Sequence, residues 1–217
     1  LDLSCFNTSK VTDMYGMFTM SGVSVLNISS FDTSNVTNMN YMFDSCANLT
    51  DLDLSHFDTS KVTNMSYMFN GCESLRNLNI KNFNTANVTT MRNMFSGCKQ
   101  VIDLDVSSFN TAKVTTMNHM FAFYEPNANF GATNTSKLIL TNFDTSNVTD
   151  MSYMFCGNTA LSVLDVSSFN TSKVTTMNYM FCSCVGLTNL DVSNFDTVKL
   201  QYMNSMFADM TNLLYLD

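Results

Sequence analysis

A fixed period governs this chain. The Phe of a Phe-Asp/Asn-Thr triplet recurs at Phe6, Phe31, Phe57, Phe83, Phe109, Phe143, Phe169 and Phe195, with steps of 25, 26, 26, 26, 34, 26 and 26 residues. A Met-Phe pair repeats the same series, its ring at Phe18, Phe43, Phe69, Phe95, Phe121, Phe155, Phe181 and Phe207. A unit of this length cannot enclose an apolar face by itself and buries it only against its neighbours, so the period dictates a stacked array. Residues 1–217 therefore read as one array without internal domain boundaries. Both ends, at Leu1-Asp2-Leu3 and at Leu214-Tyr215-Leu216-Asp217, fall part-way through a unit and lack the polar character of a cap. This is the pattern expected of a fragment of a longer chain, whose uncapped end coils could associate end to end.

Each unit divides into two apolar patterns. Leu49, Leu52, Leu54 and Phe57 follow the spacing Leu-x-x-Leu-x-Leu-x-x-Phe, and Leu52 and Leu54 alternate with Asp51, Asp53 and Ser55. That alternation predicts a short strand with one apolar face, and one strand per coil gives a parallel sheet. After a turn at Asp58-Thr59-Ser60-Lys61 come Val62, Met65, Met68, Phe69 and Cys72, at intervals that predict a short helix capped by Thr63 and ended at Gly71. The expected fold is an α/β solenoid, a right-handed array of eight coils with one short parallel strand and one short helix each, about 40 Å long at about 4.8 Å per coil. Sixteen of the 18 methionines and 16 of the 18 phenylalanines occupy ladder positions. Their helical spacing assigns the methionines to packing rather than to soft-metal binding.

The run Phe-Asp-Thr-Ser-Asn/Lys-Val-Thr-x-Met-x-x-Met-Phe-x-x-Cys resembles the 26-residue repeat of the BspA-like leucine-rich-repeat group of bacterial surface proteins, which includes mycoplasma lipoproteins. Related repeats also occur in some protozoan parasites. The resemblance covers every coil except an insertion in the fifth. It implies a leucine-rich-repeat-like solenoid at the cell surface, in a protein used for attachment to host molecules or other cells, and it brings no catalytic motif.

Composition excludes several functions. The net charge of -8, without a Lys/Arg cluster, speaks against nucleic acid and anionic membranes. No apolar run approaches the roughly 18 residues that suggest a membrane span. The two histidines, His56 and His119, lie two coils apart at different repeat positions, so neither a metal site nor a catalytic dyad is expected, and no cofactor is implied. No Cys-x-x-Cys pair occurs; the ladder cysteines Cys46, Cys72, Cys98 and Cys184 read as buried free thiols, although stacked pairs such as Cys156 with Cys182 fall within disulfide reach. Nine Asn-x-Ser/Thr sequons arise from the composition of the repeat.

Two surfaces remain as candidate binding sites. The exposed face of the sheet carries Asp53, Asn79, Asp105, Asp165 and Asp191 in a row, more consistent with a solvated polar face than with calcium ligands. The insertion within about residues 122–131 adds eight residues and, with His119 before it, brings Phe123, Tyr124 and Phe130 outside the ladders. The expected function is non-enzymatic adhesion or recognition of a protein or glycan on another cell or matrix. A structural spacer is the alternative. The two Thr rows, running through Thr59 and Thr63, raise ice binding as a lesser one.

Overall fold

The computed structural model describes residues 1–123 and 133–217. Among the described residues six strands of two or three residues form: β1 (Asp51–Asp53), β2 (Asn77–Asn79), β3 (Asp103–Leu104), β4 (Lys137–Leu138), β5 (Asn189–Leu190) and β6 (Tyr215–Leu216). They pair in parallel as β1-β2, β3-β4 and β5-β6, with Leu52 opposite Leu78 and Leu190 opposite Leu216. Bridges at Asp2–Asn27 and Lys137–Val163 extend this face. The Leu-x-Leu pattern thus gives strands where alternation predicts them, with Leu52 and Leu54 buried and Asp51 and Asp53 exposed.

No helix forms among the described residues, which corrects the expected strand-and-helix coil. The stretch from Thr63 to Cys72 is a string of tight turns. Met68 N–H donates to Met65 O and Cys72 N–H to Phe69 O, each reaching back three residues, while the intervening amides bond sideways to the next coil: Met65 to Thr90 O, Tyr67 to Arg92 O, Phe69 to Met94 O and Gly71 to Ser96 O. A helix would spend all these donors within itself. The third residue of two turns is left-handed in seven of the units, for example Tyr67 (φ 59°) and Gly71 (φ 67°), as a type II turn requires, and in the fifth the described residues show it at His119 (φ 57°). Thr63 is no helix cap. Its N–H donates to Thr37 O of the preceding coil at 3.0 Å, and the next residue, Asn64, belongs to an unbroken second ladder of parallel bridges through Asp13, Asn38, Asn64, Thr90, Thr116, Asp150, Thr176 and Tyr202, one position from each of eight stacked coils.

The core lies between the two ladders. Phe43, Phe69, Phe95, Phe121, Phe155 and Phe181 stack in one column with centroids 5.6 to 5.9 Å apart, flanked by fully buried Met65, Met68, Met91 and Met94. Polar residues cross-link the coils. Thr33, Thr59, Thr85, Thr111, Thr145 and Thr171 are buried, and each Oγ donates to the carbonyl of the Asp or Asn in the following coil at 2.9 to 3.0 Å. Because this first Thr row is inside, the paired exposed rows that an ice-binding face needs do not form. On the surface, Lys61, Lys113 and Lys173 donate to Asn35, Asn87 and Asn147 of the preceding coil at 2.8, 2.7 and 2.6 Å, an alternation that keeps like charges two coils apart from Lys10 to Lys173 and ends at Lys199.

Candidate functional site

The sheet face is built from strands so short that only two or three side chains per coil point outward. Asp53, Asp105, Asp165 and Asp191 stand exposed there, Asn79 is half-buried, and each carboxylate accepts the N–H of the Ser two residues on at 2.9 Å. Those serines, through hydroxyl and amide, hold the Asp105, Asp165 and Asp191 carboxyls below the usual range, and the Ser55 amide and hydroxyl do the same for Asp53. Self-repulsion along the row is weak by comparison: the charge of Asp191 pushes Asp165 upward, but as the smallest of its influences. The carboxylates are thereby fixed in place and ionised at neutral pH.

The row is interrupted in the sixth coil, where Ile139 takes the slot of the aspartates. Ile139 (37% exposed), Ile102 (54%) and Val163 (69%) bring apolar side chains to the outer face of three successive coils, with Lys137 between them. Three hollows follow this face. One of about 700 Å³ runs over Asp51, Asp53, Arg76, Asn77, Asn79 and Ile102; smaller ones, about 180 and 390 Å³, lie on either side of Lys137 and Ile139. The reading of the face as an acidic row passed over this apolar centre. Comparing slot with slot across the copies reveals it, since Ile stands at 139 where other coils have Asp or Asn.

The second candidate surface dissolves in part. Phe123 is not an exposed ring but 7% exposed, packed in a wall with Phe95, Val101, Phe121 and Leu138. Tyr124 and Phe130 lie outside the described residues. His119 belongs to a side column of rings: it stacks on Tyr153 at 4.3 Å, which stacks on Tyr179 at 4.7 Å, and its Nδ1 lies 2.7 Å from Asn118 Oδ1. Burial, and then the charge of Arg92, push its pKa down from 6.5 to about 4, against a smaller upward pull from Asp150. The unfolded chain therefore takes up this proton first. Stability is full above about pH 6.5 and falls as pH drops towards 4. His119→Tyr, which installs the ring of the neighbouring coils, should remove about 1 kcal/mol of the loss between pH 7 and pH 5, screening included. Urea midpoints at the two pH values check this; equal losses in both proteins would show that His119 is not the acid-sensitive group.

The cysteines are free, six buried and Cys5 exposed. Cys46, Cys72, Cys98 and Cys184 donate their thiols to the carbonyls of Phe18, Phe43, Phe69 and Phe155 at 3.0 to 3.1 Å. In the sixth coil Asn158 takes this slot, its Nδ2 donating to Phe121 O at 2.8 Å. Burial pushes the Cys46 thiol up to about 11 and those of Cys98 and Cys184 to about 12, so these groups stay protonated and serve as donors. Among the described residues no cluster of three His, Cys, Asp or Glu side chains could hold a metal ion.

Short parallel strands on one face, a ladder of leucines beneath them and coils joined edge to edge define a protein of the leucine-rich-repeat class. Residues 1–100, 47–139 and 123–214 each match the family described as Mycoplasma protein of unknown function, DUF285, and the chain belongs to that family. Among solved structures it is similar to a leucine-rich repeat protein from Bacteroides ovatus, with a TM-score of 0.54 and 17% identity, covering 84% of this chain and 41% of that one. It also matches the functional domain of InlJ from Listeria monocytogenes, a domain described as including a cysteine ladder, with a TM-score of 0.33 and 19% identity over 100% of this chain and 45% of that one. The chain thus spans less than half the length of either. No curated protein matches it.

Proposed function

We propose that this chain is a non-enzymatic recognition module of a cell-surface protein, turning its sheet face towards a protein or glycan on another cell or in the matrix. One observation carries the reading: where the sheet meets solvent, the side chains change from coil to coil in charge and polarity while the leucines beneath them stay constant. In the third to eighth coils the slot before the first strand Leu reads Asp51, Asn77, Asp103, Lys137, Val163 and Asn189, and the slot before that Thr50, Arg76, Ile102, Ser136, Ser162 and Thr188. The Thr85 and Lys113 rows, by contrast, are committed to inter-coil hydrogen bonds. A surface whose side chains vary on a constant frame suits recognition. The near identity of the remaining ladders favours the alternative, a spacer that holds another domain away from the cell.

Binding to an array of matrix proteins and glycans separates the two, run beside a variant lacking residues 122 to 129. The expected result is binding that survives the deletion and weakens as salt rises, because the fixed carboxylates of the sheet face are exposed to screening. Loss of binding on deletion would move recognition to the insertion. Two folded proteins that bind nothing would leave the spacer.

A further inference from the structure

Resting on the reading of the sheet face as the recognition surface, we infer that its partner is an extended polypeptide segment with an apolar centre and basic ends, anchored on Ile102, Ile139 and Val163. The three side chains occupy successive coils and are 37% to 69% exposed, although polar residues fill the equivalent slots in the third and fourth coils. The aliphatic stem of Lys137, one residue position along the same strand from Leu138, lies between them and adds apolar surface. Around this centre stand Asp51 and Asp53 on one side, Asp105 beside it, and Asp165 and Asp191 on the other, five carboxylates among the described side chains against the cations Arg76 and Lys137. The three hollows continue the surface from Asp51 to Asp165.

Charge selects the occupant. A second copy of this chain would bring the same acidic rim against this one, at a net charge of -8 each. A glycan without positive charge would leave the carboxylates unanswered. Basic side chains at both ends of a segment meet both acidic flanks, while its centre covers the isoleucines and the valine. Length fits as well: the five coil steps from Asp53 to Asp191 span about 24 Å at about 4.8 Å each, the reach of about seven extended residues.

The test uses a fluorescein-labelled seven-residue peptide with two lysines at each end and three leucines at its centre, beside a second peptide with three serines at the centre. Ile139→Asp is the informative variant, because it restores the residue of Asp53, Asp105, Asp165 and Asp191 and makes the face more acidic. Were charge alone responsible, both peptides would bind this variant more tightly. The anchor instead requires the leucine peptide to lose about tenfold in Kd while the serine peptide holds or gains. Val163→Asn, which installs the residue of Asn77 and Asn189, should act in the same direction and provides a second variant if Ile139→Asp fails to fold. Equal or tighter binding of the leucine peptide to both variants overturns the inference, as does failure of the unaltered protein to bind it. If the array ligands still bind in a salt-dependent way, only the partner class falls; if they do not bind either, the recognition reading falls with it.

Discussion

Phe155→Ala is expected to destabilise the array by about 3–5 kcal/mol and to broaden its unfolding transition. The ring is completely buried, stacked on Phe121 at 5.9 Å and on Phe181 at 5.7 Å, with Phe169 at 6.3 Å. Removing it opens a hole that rings in the adjoining coils cannot close, because each is held in its own column position by a backbone bonded on both sides, as Phe155 N–H is to Met180 O. In a linear array stability is a sum over neighbouring interfaces, so one hole weakens two interfaces and uncouples the coils before it from those after it. Urea unfolding followed by circular dichroism should show a lower midpoint and a shallower slope. Phe207→Ala, at a half-buried ring stacked on Phe181 at 5.9 Å, should cost about half as much. A midpoint for Phe155→Ala within error of the unaltered protein would mean that the ring column is not what holds the coils together.

The strand half of the coil was legible because alternation at Leu52 and Leu54 has period two, and nothing else in a short unit produces it. The other half was not. Val62, Met65, Phe69 and Cys72 recur every three or four residues in a helix, but also in a string of turns that each close over three residues. Periodicity cannot say whether the amides between them bond within the segment or across to the next coil. The left-handed residues held a partial signal: the slot of Met20, Ser45, Gly71, Gly97, Gly157, Ser183 and Asp209 includes Gly and Asp, which tolerate positive φ, but a glycine there is equally what ends a helix. The slot of Gly16, Tyr41, Tyr67, Asn93, His119, Tyr153, Tyr179 and Ser205 carried a mixed one, since Gly, Asn and His tolerate φ near 60° but a bulky Tyr ring is not expected there. Stacking at 4.5 to 4.7 Å between Tyr41 and Tyr67 and between Tyr153 and Tyr179 helps to hold those rings there.

The sheet face shows a similar division. Its acidic residues could be placed from the repeat alone, but their bonds to the following serines make each aspartate a turn residue as well as a surface charge. The apolar centre at Ile102, Ile139 and Val163 escaped a reading that looked for sameness along columns. These residues sit at three different positions of the unit and meet only when the coils are stacked. Phe123 erred in the opposite direction, since a ring outside the ladders looks exposed in one dimension and proves to be core in three.

The threonine that opens each turn, present in all eight copies, makes the second large effect predictable. Thr85→Val should cost about 2–3 kcal/mol although it preserves shape and volume. Thr85 is 1% exposed, and its Oγ donates to Asn110 O at 2.9 Å while accepting the Asn110 N–H at 2.8 Å. One hydroxyl thus satisfies both backbone groups of a residue in the next coil, at a point where the chain turns away from the sheet and no ladder partner can replace it. Valine would leave a donor and an acceptor facing a methyl group, and the desolvation of both is lost without return. Thr85→Ser keeps the hydroxyl and should recover most of the stability, with a residual loss of about 1 kcal/mol for the missing methyl. The order Thr above Ser above Val in urea midpoints is the expected result. Valine equal to threonine would show that packing, not the inter-coil clamp, accounts for the residue, whereas serine as weak as valine would show that the methyl does the holding.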